Sequence, residues 1–231
     1  MRMRKKPNLI PRLEACGERI ITDPKAHKGH WHELMPEATE LRLELGCGKG
    51  RFTVGTAQAD PQALIIAIER VADAMVIAAE RSIELGLANV FFIDADAANL
   101  QDYFEDGEID RVYVNFCDPW PGARYAKRRL THPDFLNCYR KVLSDGGQIH
   151  FKSDNHDLFE WSLFQFPKVG FELSEVTRDL HANGPTGIMT DYEEKFYQLG
   201  TPINRCVGTK VALAQEPDNH KPYAPGTDWK H

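Results

Sequence analysis

The sequence predicts an α/β protein: a doubly wound, mostly parallel sheet of seven strands with helices on both faces. Three observations predict it. Short apolar runs alternate along the chain with stretches of helical periodicity, as in parallel strands joined by crossover helices. Some runs are apolar throughout, such as residues 64–68 and 90–93, which suits strands buried on both faces. Acids or glycines fall at the carboxyl ends of successive runs, at 44–50, Glu69, 94–96 and Asp118. On such a sheet ligands bind beyond the carboxyl ends of the strands, at the topological switch point.

The first strand is LRLEL (41–45), and GCGKG (46–50) then turns the chain into a helix over 51–59. Glycines at Gly46 and Gly48 permit a sharp turn and a close backbone approach to a ligand. The spacing alone also fits a dinucleotide fold, but the sixth-position glycine of that fingerprint is missing, and no phosphate-binding GxxxxGK[ST] is present. The second strand ends in Glu69, placed to accept hydrogen bonds from the ribose hydroxyls of a nucleoside cofactor; an ordinary solvated acid is the alternative. A helix over 70–86 follows, closed by Gly86. The third strand (90–93) leads to Asp94-Ala95-Asp96. Asp96 is placed either to bond an adenine amino group or to cap a helix over 97–104.

The fourth strand (109–115) opens into NFCDPWPGARYAKRRL, residues 115–130. Pro119 and Pro121 stiffen the turn after Asp118. Arg124, Lys127, Arg128 and Arg129 place four cations within six residues. A rigidly held acid beside a basic cluster points to a reacting centre next to a polyanion. Trp120 reads as core packing in preference to a base-stacking platform, and Cys117 as a buried, inert thiol. A helix over 131–143 follows, with Thr131 as N-cap and Pro133 in its first turn. Asp145-Gly146-Gly147 is a turn, 148–152 the fifth strand, and Ser153-Asp154-Asn155 the cap of a helix to 166. The sixth strand is 171–176, and 178–189 is a loop. Thr190 and Glu193 match a capping box. The last strand covers 205–213.

Residues 1–40 read as a basic N-terminal arm (Arg2, Arg4, Lys5, Lys6) and lead-in, 41–213 as the main domain, and 214–231 as a disordered tail. No run of 18 apolar residues and no secretory signal is present, so no membrane partner is expected. Five cysteines without CxxC spacing suit reduced thiols in the cytosol, with no disulfide framework and no metal site. The net charge of −6 gives no global support for nucleic-acid binding, and DNA is not expected as a partner; the positive charge is local.

LELGCGKG, IAIE, DAD, NFCDPWP, RYAKRRLTHPDFL and TDYEEKF together resemble the bacterial tRNA (guanine-N7)-methyltransferases, over about residues 1–213. The resemblance implies a Rossmann-like class I methyltransferase using S-adenosyl-L-methionine. It implies methyl transfer to N7 of a guanine in the tRNA variable loop, in the cytoplasm. Glu44, Gly46, Gly48, Glu69, Asp96 and Asp118 would line the cofactor site, with Asp118 also catalytic. Asp154, Thr190, Asp191, Tyr192 and Glu193 would face the substrate guanosine. Arg124, Tyr125, Ala126, Lys127, Arg128 and Arg129 would contact RNA. The chain departs from the pattern at Gly122-Ala123, where lysine is common, and at Tyr125, where histidine is usual. The oligomeric state stays open between monomer and homodimer.

Guanine N7 carries an in-plane lone pair and takes a methyl group without losing a proton, so no general base is needed. Alignment and a fixed carboxylate near the ring, where positive charge develops, are then the enzyme's tasks. The same scaffold also fits a methyltransferase for small molecules, a noncatalytic RNA-binding protein, or a nicotinamide-dependent dehydrogenase.

Overall fold

A computed structural model describes residues 8–213 of the chain. Its sheet has seven strands in the order β3-β2-β1-β4-β5-β7-β6. They are β1 (Glu40–Leu45), β2 (Ala63–Ile68), β3 (Val90–Ile93), β4 (Ile109–Asn115), β5 (Leu143–Ser153), β6 (Phe171–Thr177) and β7 (Asn204–Lys210). The first five pair parallel, and β7 runs antiparallel between β5 and β6. The chain reverses its direction of travel across the sheet between β1 and β4, which makes their carboxyl ends the switch point.

Period-two alternation decides what each face of the sheet meets. Leu41, Leu43 and Leu45 of β1, with Leu64, Ile66 and Ile68 of β2, enter the larger core. That core is completed by α4 (Leu100–Tyr103), α5 (Pro133–Val142) and α6 (His156–Leu163). Ile65, Ala67, Val90 and Phe92 face the other way, onto α1 (Leu9–Ala15), α2 (Arg51–Ala59) and α3 (Ala72–Glu84). The intervening residues of β1, Arg42 and Glu44, therefore point toward this second face and are buried there. A charge in that position has to find a partner. Arg42 pairs with Glu40 at 2.7 Å and Asp60 at 2.5 Å.

Several expectations need correction. The lead-in before β1 is packed onto the sheet over residues 8–40. Trp31 is fully buried, lies between His27 and Phe104, and donates its indole N–H to the Tyr103 carbonyl at 2.8 Å. Ile20 forms a parallel bridge to Phe92 at the sheet edge. Arg2, Arg4, Lys5 and Lys6, and the tail at 214–231, lie outside the described residues. Thr131 does not cap α5. It is buried, with its hydroxyl 2.7 Å from that of Ser162, and His132 caps by accepting from the Asp134 N–H. Asp145–Gly147 does not break the chain ahead of the fifth strand; β5 begins at Leu143, and its register with β4 shifts across this stretch. Among the described residues, no helix is long and apolar enough to cross a membrane.

Candidate active site

Two adjoining cavities open at the carboxyl ends of β1, β2, β3 and β4. The first, of about 520 Å³, is lined by Glu69, Asp96, Asp118, Trp120, Lys127 and Arg128 among others. The second, of about 240 Å³, is lined by Glu44, Gly48, Lys49, Thr190, Tyr192 and Lys195 among others. Gly46, Asn115 and Phe116 belong to both, so the two form one bent cleft across the switch point.

The glycine turn shapes the bend. Gly46 and Gly48 have φ of 77° and 57°, and a Cβ added at either would meet no protein atom within 4 Å. The backbone is thus bare toward open space, as a close ligand approach requires. Glu69 holds the turn from the neighbouring strand. One of its carboxylate oxygens accepts from the Gly48 N–H at 2.9 Å and the other from the Val71 N–H at 2.8 Å. Asp96 accepts from the Ala98 N–H at 3.0 Å, as a helix cap does, and also pairs with Arg70 at 3.0 Å while lining the cleft.

Glu44 is the most buried acid lining the cleft. It is 1% exposed, accepts from the Thr53 hydroxyl at 2.5 Å and from the Asn115 amide at 3.2 Å, and burial pushes its carboxyl up to about 7. The amide oxygen of Asn115 is buried with no hydrogen-bond partner. The orphaned acceptor lacks a donor, the carboxylate beside it has lone pairs to spare, and an ammonium group would serve both. At the rim of the same cavity, Lys49 and Lys195 form no ion pair among the described residues, which suits a carboxylate.

Asp118 stands exposed at the edge of the first cavity, after a turn with unusual backbone. Phe116 has φ of 55° and Trp120 of 42°, values that side chains other than glycine seldom adopt. Such strain persists where its surroundings fix it and clusters at functional sites. Trp120 is not core: it lines the cleft, with the Arg128 guanidinium 3.9 Å above its ring and Tyr125 beside it. The thiol of Cys117 is pushed up to about 12, first by burial and then by the Asp118 charge, so it is no nucleophile.

The basic segment divides. Arg124, Lys127 and Arg128 are exposed and form no ion pair among the described residues. Arg129 instead turns inward; its guanidinium donates to the Trp120 carbonyl and lies 4.4 Å over Trp161. It braces the turn and offers its charge less freely than expected. Gly122, standing where lysine is common in the resembled family, has φ of 90° and ψ of 141°. Only glycine adopts that conformation readily, so the departure in sequence accompanies a turn that lysine would strain.

Thr190, Asp191 and Tyr192 reach the second cavity from α7 (Asp191–Gln198). Glu193 does not. It is fully buried behind them, so a direct contact with substrate is not available to it. Asp154 is half-exposed beyond the end of β5 and lines neither cavity; Ala126 is half-buried within the basic segment. Asn115, Phe116, Lys152, His181 and Lys195 were not expected in or behind the site. Lys152, a cation at the carboxyl end of the fifth strand, carried the one legible signal.

Comparison with known proteins agrees with this geometry. A family model described as a putative methyltransferase matches residues 38–206. A tRNA (guanine-N(7)-)-methyltransferase of Geobacillus kaustophilus is 44% identical over 207 residues, covering 89% of this chain and 95% of that protein. A protein of the same name from Bacillus velezensis is 45% identical with the same coverage. Among solved structures, the 16S rRNA methyltransferase KamB superposes with a TM-score of 0.64 at 17% identity, over 80% of this chain and 94% of that one, which speaks for the fold alone. With the sheet order, the bent cleft and this level of identity over most of its length, the chain belongs to the tRNA (guanine-N(7)-)-methyltransferase family.

Proposed function

We infer that this protein transfers the methyl group of S-adenosylmethionine to N7 of a guanine in tRNA, giving 7-methylguanosine. The observation that carries this reading is the meeting, at the switch point, of an acid-lined double cavity with an unpaired cationic rim. Bound there, S-adenosylmethionine would supply an electrophilic methyl group. Glu44 and Asn115 are suited to hold an ammonium, with Lys49 and Lys195 near the carboxylate beside it. Glu69 is suited to hold the ribose hydroxyls, and Asp96 the adenine. Asp118 would then face the guanine ring, where its charge offsets the positive charge that develops as N7 takes the methyl group. Asp154 follows the neighbouring strand outside both cavities, where it would meet only a guanine edge that projects beyond the cleft. A guanine in the variable loop is the position the family implies. A cytoplasmic location fits action on tRNA, and the chain's thiols would stay reduced there.

Unmodified tRNA incubated with labelled S-adenosylmethionine is expected to acquire label and to break at a single guanine on borohydride and aniline treatment. Label without cleavage would place the methyl elsewhere than N7. Replacing Arg124, Lys127 and Arg128 together with Ala removes three phosphate-binding charges. The plot of log affinity for tRNA against log salt is expected to flatten by roughly 2. An unchanged slope in a filter-binding titration would remove this segment from the RNA surface.

A further inference from the structure

Behind the second cavity lies a group of charges that the reaction as described leaves unused. Glu193 is fully buried, yet its carboxylate accepts four hydrogen bonds. Lys152 donates to both oxygens at 3.0 Å, His181 Nε2 to one at 3.0 Å, and the Thr190 N–H to the other at 3.3 Å. His181 accepts from the Thr186 N–H through Nδ1 at 3.2 Å, which places its ring proton on Nε2, facing Glu193. The remaining donor of Lys152 goes to the Ile188 carbonyl at 3.2 Å. Every polar atom of the three side chains that faces the cluster is engaged.

The backbone of Lys152 serves the other half of the cleft. Its carbonyl accepts from the Phe116 N–H at 2.9 Å, at the residue whose φ is 55°. The Phe116 ring in turn stacks on Phe196 of α7 at 6.2 Å. One residue of β5 thus grips the turn that presents Asp118 and, through Glu193, the helix that presents Thr190 and Tyr192. A buried ion pair is weak evidence for stability, since apolar residues of similar volume often replace one at no cost. It does fix geometry, because each partner's charge is tolerable only in contact with the other.

We propose that Lys152 and His181 are positioning residues for methyl transfer, clamping Glu193 so that the Asp118 turn and the Thr190–Tyr192 segment keep one fixed separation across the cleft. The proposal rests on the cofactor reading above. Glu193 then acts on the reaction without touching the substrate.

The test is a charge-compensation cycle, with turnover expressed per site that binds S-adenosylhomocysteine in calorimetry. Glu193→Gln leaves the buried Lys152 ammonium without its counterion, and Lys152→Met leaves the buried Glu193 carboxylate with only the His181 and Thr190 N–H donors. Each is expected to lower kcat about tenfold or more, with the double variant recovering to within about threefold of wild type because the two changes are coupled. KM for tRNA should move little throughout. If Glu193 contacted the substrate, removing Lys152 could not restore the rate, and a double variant as slow as Glu193→Gln overturns the proposal. Singles that keep full kcat with only a lowered melting temperature also overturn it, since the cluster would then be merely structural. Should the singles fail to fold, His181 decides. His181→Gln keeps an N–H within reach of Glu193 and should retain turnover, whereas His181→Leu should lose it; equal activity of the two sinks the clamp. A wild-type chain that does not bind S-adenosylhomocysteine would instead refute the cofactor reading, which separates the two failures.

Discussion

Asp118→Asn is expected to lower the single-turnover rate of methyl transfer by about 100-fold, the scale of losing one electrostatic contact placed where charge develops, once bound guanine and cofactor exclude water from this exposed carboxylate. The substitution keeps the shape and removes the charge. Guanine gains a positive charge as N7 takes the methyl group, so an interaction with a fixed carboxylate is stronger in the transition state than in the ground state. Only such differential interactions change the rate of the chemical step. Asp118 is placed for this task by its backbone. The Phe116 and Trp120 conformations and the two prolines hold it at the edge of the cleft, and Arg129 braces the turn through the Trp120 carbonyl. Affinity for S-adenosylhomocysteine should change far less than the rate. Rapid-quench measurement at saturating cofactor and tRNA checks this. An unchanged rate with weakened cofactor binding would make Asp118 a cofactor contact instead.

Glu44→Gln is expected to have opposite effects on stability and on cofactor binding. Burial raises the Glu44 carboxyl from 4.5 to about 7 in the folded chain. The folded state therefore holds this proton more tightly than the unfolded state, and the stability it contributes is present in full below about pH 4.5. It is lost as pH rises toward 7 and stays lost above, at a cost of roughly 3 kcal/mol at pH 8. The amide carries no charge to bury and can still pair with Thr53 and Asn115. The variant should thus melt at a higher temperature than wild type at pH 8, with the gap closing by pH 5. Cofactor binding should move the other way, by about 30-fold, because the ammonium loses a charged acceptor. Wild-type affinity for S-adenosylhomocysteine should also rise between pH 6 and pH 8, while that of the variant stays flat. A stability difference of equal size at both pH values would show that Glu44 does not titrate in this range.

The glycine turn, Glu69, Asp96 and Asp118 were legible because each follows an apolar run and the wound sheet brings such ends together. The acid of the Glu193 capping box was legible as local structure, and the structure holds it in that role. Its burial behind the cleft was not legible, because a motif does not show which side of a helix faces the cleft. Trp31 was unreadable for a different reason. A lone aromatic in a polar stretch has no periodicity, and its burial depends on Phe104 and Tyr103, more than 70 positions away.

By itself the sequence determined the strand and helix pattern, the strand ends that carry acids, and the local concentration of positive charge, all of which depend on neighbours within a few residues. Only the tertiary structure decided that β7 enters between β5 and β6, that Arg129 turns inward while Arg124, Lys127 and Arg128 stay exposed, and that Lys152, His181 and Glu193 meet behind the cleft. Those outcomes depend on which distant surfaces bury one another, and a charge taken out of water settles wherever the completed fold offers it a partner.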